Sequence, residues 1–528
     1  MTASTIGISI SIFAYITFVI GIGIWSMKKT SDTGDFYLGG RKLGPFVTAM
    51  SAEASDMSSY LLMGIPGVAY LSGVADAFWT VLGLAIGTYL NWLLVAKRLR
   101  TYTVKCNNSI TVPAFFSNRY RDSKRILSLI SAVVIVIFFV PYTGSGFSAC
   151  GKLFGTLFSA DGVMTDRNYH IAMIISAVII VIYTTLGGFL AASTSDFWQS
   201  ILMTVALAVI VIFGVCTAGG ISNVVENGKL LAGYLDFNNM HDASAEAGYL
   251  PYGFLKKIST LAWGLGYFGM PHILLRFMAI EDAKKLKLSR RIASIWVVIS
   301  MAVALFIGIV GNAMSANNSI IKLEGNDSEN VIIVISKLIA ENGILAALVA
   351  GIILAGILAA TMSTADSQLL AASSSVSENI LKEVFFKKMS DKTAMLIARI
   401  TVIVISVIGV IIAWDRNSSV FGIVSFAWAG FGAAFGPVVL LALFWKRSNK
   451  AGALTGMLCG GAMVFIWKFL VRPIGVAEGN GLLDIYELLP AFIVALLVNV
   501  LVSLITKKPS QDMLDEFDAV NAELKNNK

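Results

Sequence analysis

Charge is what this 528-residue chain has least of: 14% of it is Asp, Glu, Lys or Arg, where soluble domains carry about 25%. With 56% apolar residues, that deficit excludes a soluble enzyme of ordinary composition. Cysteine is scarce, and Cys106, Cys150, Cys216 and Cys459 are scattered without a CxxC pair, so neither a disulfide framework nor a zinc site is indicated. The three histidines, His170, His241 and His272, stand far apart. No GxxxxGK[ST] string occurs, and without that phosphate-cradling loop the chain has no ATP-driven step of its own. The string from Gly264 through Gly266 to Gly269 fits GxGxxG, but it follows no strand and lies in an apolar run, which argues against a dinucleotide. With no nucleophile–histidine pair and no cofactor loop, the chain is not expected to be an enzyme or to carry a cofactor.

What is present is a series of long apolar runs. Thirteen are readable, at residues 6–27, 45–71, 76–96, 126–154, 171–190, 197–215, 260–278, 292–314, 346–380, 395–414, 420–445, 452–469 and 488–505. A helix crossing about 30 Å of hydrocarbon needs about 20 such residues, so the expected class is an all-α membrane protein. The first run has Lys28 and Lys29 behind it and no basic residue ahead, the reverse of a cleavable signal, which puts the N-terminus outside. With that orientation most of the 40 lysines and arginines fall in cytoplasmic loops. The net charge of +8 therefore reads as membrane topology, and no nucleic-acid partner is expected. Arg276 and Arg399 fall at cytoplasmic helix ends, residues 219–248 read as a solvated loop, and the tail after Lys507 reads as a short amphipathic, cytoplasmic end with no room for a signalling module.

Two of the runs are interrupted. The second contains SAEASDMSSY, which puts Glu53, Asp56 and several serines in mid-membrane. A carboxylate there costs about 2.5–3.5 kcal/mol unless it faces a polar cavity, and the hydroxyls compete with the backbone for hydrogen bonds. The seventh contains WGLGYFGMPH, whose glycines and Pro271 weaken a helix. They are five runs apart, an odd number, so a repeat would be inserted upside down. Paired interruptions in inverted halves point to the central binding site of a secondary transporter; a kink kept for packing is the plainer alternative. In the ninth run Ser363, Asp366 and Ser367 share one face, with Thr364 at its edge. Such hydroxyls suit a hard cation such as Na+, though back-bonding and close helix packing are the commoner role of Ser and Thr in membranes.

At these residues the chain resembles the sodium:solute symporter family. The likeness is carried by DFYLGGRKLGPFVTAMSAEASDMSSYLLMG, GTYLNWLLVAKRLR, WGLGYFGMPHILLRFM, ILAATMST and SFAWAGFGAAFGPVVL, and is greatest to the branch that carries proline. The resemblance implies about thirteen transmembrane helices with a five-plus-five inverted repeat, a LeuT-like core. Its parts would be residues 1–44, the first span and a cytoplasmic loop; 45–218, the first five-helix repeat; 219–259, an extracellular loop; 260–446, the second repeat; 447–506, two peripheral spans; and 507–528, the cytoplasmic tail. It also implies import of L-proline with Na+ through a cell inner membrane, with no obligate protein partner beyond the bilayer.

Carried over by motif position, the resemblance puts Na+ among the carbonyls of Ala54, Met57 and Ala360 and the hydroxyls of Ser363 and Thr364, with Asp56 governing sodium affinity. Proline falls to Ser58, Ser59, Tyr60, Tyr142, Trp263, Tyr267 and Pro271. Arg41 and Glu53 are implied as coupling residues, and Asp196, Asp366 and Ser367, with Ser363, as a possible second cation site. Several residues depart from the family pattern, which has Gly at Glu53 and Ser59, Trp at Tyr60, Gln at Met270 and a hydroxyl residue at Asp366. These departures leave open another small amino acid or organic solute, and protons as the coupling ion; a membrane nutrient sensor is a remote alternative.

Overall fold

The computed structural model describes residues 3–27, 33–157, 164–386 and 388–526; Lys28 and Lys29 lie outside them. Eleven described helices are long and apolar enough to cross a membrane. They are α1 (Ala3–Met27), α4 (Val74–Lys105), α5 (Ile126–Leu157), α6 (Asp166–Thr185), α7 (Gly187–Thr217), α10 (Ala283–Ala316), α11 (Ile344–Phe385), α12 (Asp391–Ile412), α13 (Val420–Phe444), α14 (Lys450–Glu478) and α15 (Leu488–Ile505). The other two apolar runs fold as interrupted paths. One is α2 (Pro45–Asp56) followed by α3 (Ile65–Ser72), and the other is α8 (Phe254–Leu261) followed by α9 (Pro271–Ala279).

Each boundary has a local cause. Pro45 starts α2 and Pro271 starts α9, at the helical position where a missing N–H costs nothing. The Ser419 and Asn449 side chains cap α13 and α14 by accepting from the backbone N–H groups of Gly422 and Gly452. At the start of α7 the chain turns at Gly188, whose φ of 63° lies in the left-handed region. A Cβ at Gly188 would stand 2.8 Å from the ring of Phe36.

α11 is the centre of the packing and lies against α1, α2, α5, α6 and α7. From Ile353 to Ser375 every one of its side chains is buried. α13 packs against the interrupted stretch between α8 and α9 and against α5. The outward faces of α7, α10 and α12 instead expose Ile212, Ile295 and Ile411, as lipid contact demands.

The segment read as a solvated loop and the tail read as an amphipathic end both have structure. Residues 219–248 contain a helix, Ile221–Leu230, and begin a short antiparallel ladder pairing Asn239–His241 with Tyr249–Pro251. The tail forms α16 (Gln511–Asn526), which buries Met513, Phe517 and Val520. Their spacing of four and three residues gives the polar segment one apolar stripe.

Candidate functional site

The site begins where α2 stops. Met57 leaves helical geometry at φ −73° and ψ 67°, and the Ser58 N–H bonds to the Asp56 carbonyl at 2.8 Å. The path then resumes as a loosely wound turn, Tyr60–Gly64, before α3. The serines act as competitors of the backbone: Ser55 Oγ donates to the Ser51 carbonyl at 2.7 Å. The second interruption is a tight 3-10 stretch, Ala262–Gly269, ending in extended Met270. Its glycines also serve packing. A Cβ at Gly264 would lie 2.2 Å from the Gly83 carbonyl oxygen, and one at Gly266 would lie 1.9 Å from Trp428 Nε1.

α11 closes on the break in α2. Ser363 Oγ donates to the Ala54 carbonyl at 2.7 Å and lies 3.1 Å from the Ala360 carbonyl. Thr364 Oγ1 reaches the same Ala360 oxygen at 3.1 Å. Four of the five expected sodium ligands, Ala54, Ala360, Ser363 and Thr364, thus share one cluster of oxygen atoms. Met57 is at the break itself, its Sδ accepting from Tyr60 Oη at 3.4 Å. Ser58, Tyr142, Thr364 and Gln368 line one small cleft, so a residue of the oxygen cluster borders the expected substrate side chains.

The aromatic residues form two groups. Tyr267 Oη donates to Asp56 Oδ2 at 2.5 Å, while its carbonyl accepts from Asn91 Nδ2 at 3.0 Å; Tyr60 lies beside Asp56, Tyr142 and Tyr267. Trp263 stacks on Tyr486 at 5.1 Å and lies 5.2 Å from Phe421, and its carbonyl accepts from Trp428 Nε1 at 2.7 Å. Ser59 is fully buried, with no hydrogen-bond partner for its hydroxyl among the described residues.

Glu53 and Asp56 are both buried, at 1% and 0% exposure. Glu53 Oε1 accepts from Trp92 Nε1 at 2.8 Å and from Thr88 Oγ1 at 3.3 Å, both on α4. Arg41 donates to the carbonyls of Met278 at 2.5 Å and Ser109 at 2.8 Å. Burial, and after it the neighbouring Arg100, push its guanidinium down to about 10. Beside it the chain entering α2 is clasped to the end of α9, with the Leu43 N–H on the Ala279 carbonyl and the Glu281 N–H on the Leu43 carbonyl.

Arg276, read as a helix-end charge, is 1% exposed. Its Nη2 contacts Asp196 Oδ2 at 3.1 Å and Ser367 Oγ at 2.5 Å, and its Nε contacts Ser51 Oγ at 3.1 Å. Asp366 instead accepts from Tyr183 Oη and from Ser367 Oγ. Tyr486 and the buried pair of Lys152 with Glu329, 2.6 Å apart, also escaped the sequence reading. Lys152 left a signal there, a lone cation within an apolar run.

Residues 36–460 match the sodium:solute symporter family. A sodium/proline symporter of Haemophilus influenzae is 42% identical, over 97% of this chain and 98% of its own length. The high-affinity proline transporter PutP of Bacillus subtilis is 41% identical over 94% and 98%, and the osmoregulated proline transporter OpuE of the same organism is 40% identical over 99% and 100%. Among solved structures, a Na+-coupled sialic acid symporter in a substrate-bound outward-open state superposes with a TM-score of 0.76 at 17% identity, covering 96% of this chain and 99% of its own. That likeness is of fold, and it agrees with the LeuT-like, all-α architecture described above. Matched by the family over most of its length and by these relatives nearly end to end, the chain belongs to the sodium:solute symporter family.

Proposed function

We propose that this protein imports L-proline together with Na+ across the cell membrane by alternating access, with its N-terminus outside and its tail in the cytoplasm. The observation that carries the reading is the bond of Ser363 Oγ to the Ala54 carbonyl, which joins a hydroxyl-rich helix to the last helical turn before a break. Hard cations take oxygen ligands from such half-helix ends. Na+ takes the carbonyls of Ala54, Met57 and Ala360 and the hydroxyls of Ser363 and Thr364. Proline is held between Ser58, Ser59, Tyr60 and Tyr142 on one side and Trp263, Tyr267 and Pro271 on the other. Hydroxyls and N–H groups at the break receive its carboxylate, and aromatic faces shelter its ring and ammonium.

In this reading residues 45–218 and 260–446 are two inverted halves, which meet at the interruptions. Na+ binding orders the break in α2 and raises affinity for proline, and by linkage proline tightens Na+ by the same factor. A potential of 100 mV contributes about 2.3 kcal/mol per charge, and a tenfold sodium gradient about 1.4 kcal/mol. One Na+ then sustains roughly a 500-fold gradient of zwitterionic proline.

The test is uptake into proteoliposomes of a panel of labelled amino acids under a sodium gradient, and again under a proton gradient. Sodium-driven uptake of proline, with other amino acids competing weakly, is the expected outcome. Preference for another solute would assign the departures at Tyr60 and Met270 to a changed substrate.

A further inference from the structure

The cluster of Asp196, Asp366 and Ser367 already holds a cation, and it belongs to the protein. Arg276 projects from the last turn of α9 and joins four helices through one guanidinium. It reaches Ser51 on α2, Asp196 on α7, Ser367 on α11 and the His272 carbonyl on its own helix, at 3.1, 3.1, 2.5 and 3.0 Å. Ser51 Oγ also donates to Asp196 Oδ2, at 2.7 Å. The ring of Phe189 covers the guanidinium at 5.0 Å, an arrangement that suits a planar cation. Arg276 and Asp196 are 1% and 0% exposed.

A guanidinium and a sodium ion compete for the same oxygen atoms. Asp196 Oδ2 and Ser367 Oγ are two of the atoms that a second Na+ would need here, and Arg276 Nη2 engages both. The guanidinium is tethered to α9 and cannot diffuse away, and two cations within one buried cluster repel. The cluster also reaches the oxygen atoms at the break in α2. Ser367 Oγ lies 2.8 Å from the Ser363 carbonyl, and Ser363 Oγ bonds across to Ala54.

We propose that Arg276 is the tethered cation of the Asp196–Ser367 cluster, taking the place of a second coupling ion, so that one Na+ moves with each substrate. Arg276 is then a positioning residue, latching α2, α7, α9 and α11 together. The proposal rests on sodium coupling as proposed above, and its test is separable from that reading.

The experiment is equilibrium binding of radiolabelled sodium to the purified full-length protein, which needs no transport. Wild type and Arg276→Lys are expected to bind one ion per chain. Arg276→Gln, leaving the carboxylates without their cation, is expected to bind two, and the Asp196→Asn/Arg276→Gln pair to return to one. Two ions in wild type would overturn the proposal, as would one ion in a folded Arg276→Gln protein. Should Arg276→Gln fail to fold, the wild-type and Arg276→Lys counts decide alone, two ions in either overturning it. No sodium binding in any form would instead refute the sodium coupling on which the proposal rests.

Discussion

Ser363 and Ala54 are 309 residues apart in sequence, yet Ser363 Oγ sits 2.7 Å from the Ala54 carbonyl oxygen. That contact fixes α11 against the break in α2. It also brings two groups that sodium can use to one place, since the hydroxyl that now donates can turn its lone pair toward a cation.

Replacing Ser363 or Thr364 by Ala removes one oxygen from this cluster. A hydrogen bond or ligand contact involving charge is worth about 1.5–3 kcal/mol. The half-saturating sodium concentration for uptake should rise by about tenfold or more, with a much smaller change in maximal rate. Unchanged sodium dependence in both variants would refute their role as ligands.

Tyr267→Phe deletes the hydroxyl on Asp56 Oδ2. Asp56 Oδ1 already has no partner among the described residues, so the variant leaves the carboxylate without its hydrogen bond. Sodium and proline affinities should both fall, each by roughly tenfold, because one bond joins the two sets of residues. Trp263→Ala differs, since that ring touches Tyr486 and Phe421 and none of the oxygen cluster. It should weaken proline binding, by about tenfold, and leave sodium activation near its wild-type value.

Lys152 and Glu329 form a buried pair, and loss of one partner from such a pair costs about 3–5 kcal/mol. Glu329 also accepts from Ser419 Oγ and from the N–H groups of Val420 and Phe421 at the start of α13. Thermal melting of the purified protein should therefore drop further for Glu329→Ala than for Lys152→Ala. Equal drops would mean that the helix-start contacts add nothing.

The tail helix α16 docks on a basic face of the protein. Arg121 pairs with Asp512 and Glu516 at 2.8 and 2.9 Å, and Lys105 with Glu523 at 2.9 Å, while Phe517 lies under Arg98 and Arg119. Ser510, and after it Arg121, hold the Asp512 carboxyl below the usual range. Its contribution is present above the ordinary carboxylate pKa and is lost as pH falls through the depressed value. High salt should loosen the tail by screening these pairs, and so should acid. Limited proteolysis reads both effects, and cleavage indifferent to salt and pH would assign docking to Phe517 and its apolar neighbours alone.

Much of this was legible in sequence because a membrane tolerates few exceptions. SAEASDMSSY and WGLGYFGMPH each break an apolar run with residues that bend or compete with a helix, and both fold as breaks. The partners of Arg276 escaped because position along a helix does not give depth or facing: a cation in a last turn fits the sidedness rule whether it meets water or Asp196. Its contacts come from helices 80 to 225 residues away, beyond any local pattern. Tyr486 escaped because it precedes a peripheral helix, and only packing brings it onto Trp263.

The central claim is most directly tested by imposing an inward sodium gradient on proteoliposomes and following labelled L-proline. The account predicts accumulation against its gradient, stopped when the sodium gradient is collapsed and shifted to higher sodium concentration in Ser363→Ala. Proline accumulation that proceeds without sodium, driven by protons alone, would contradict it.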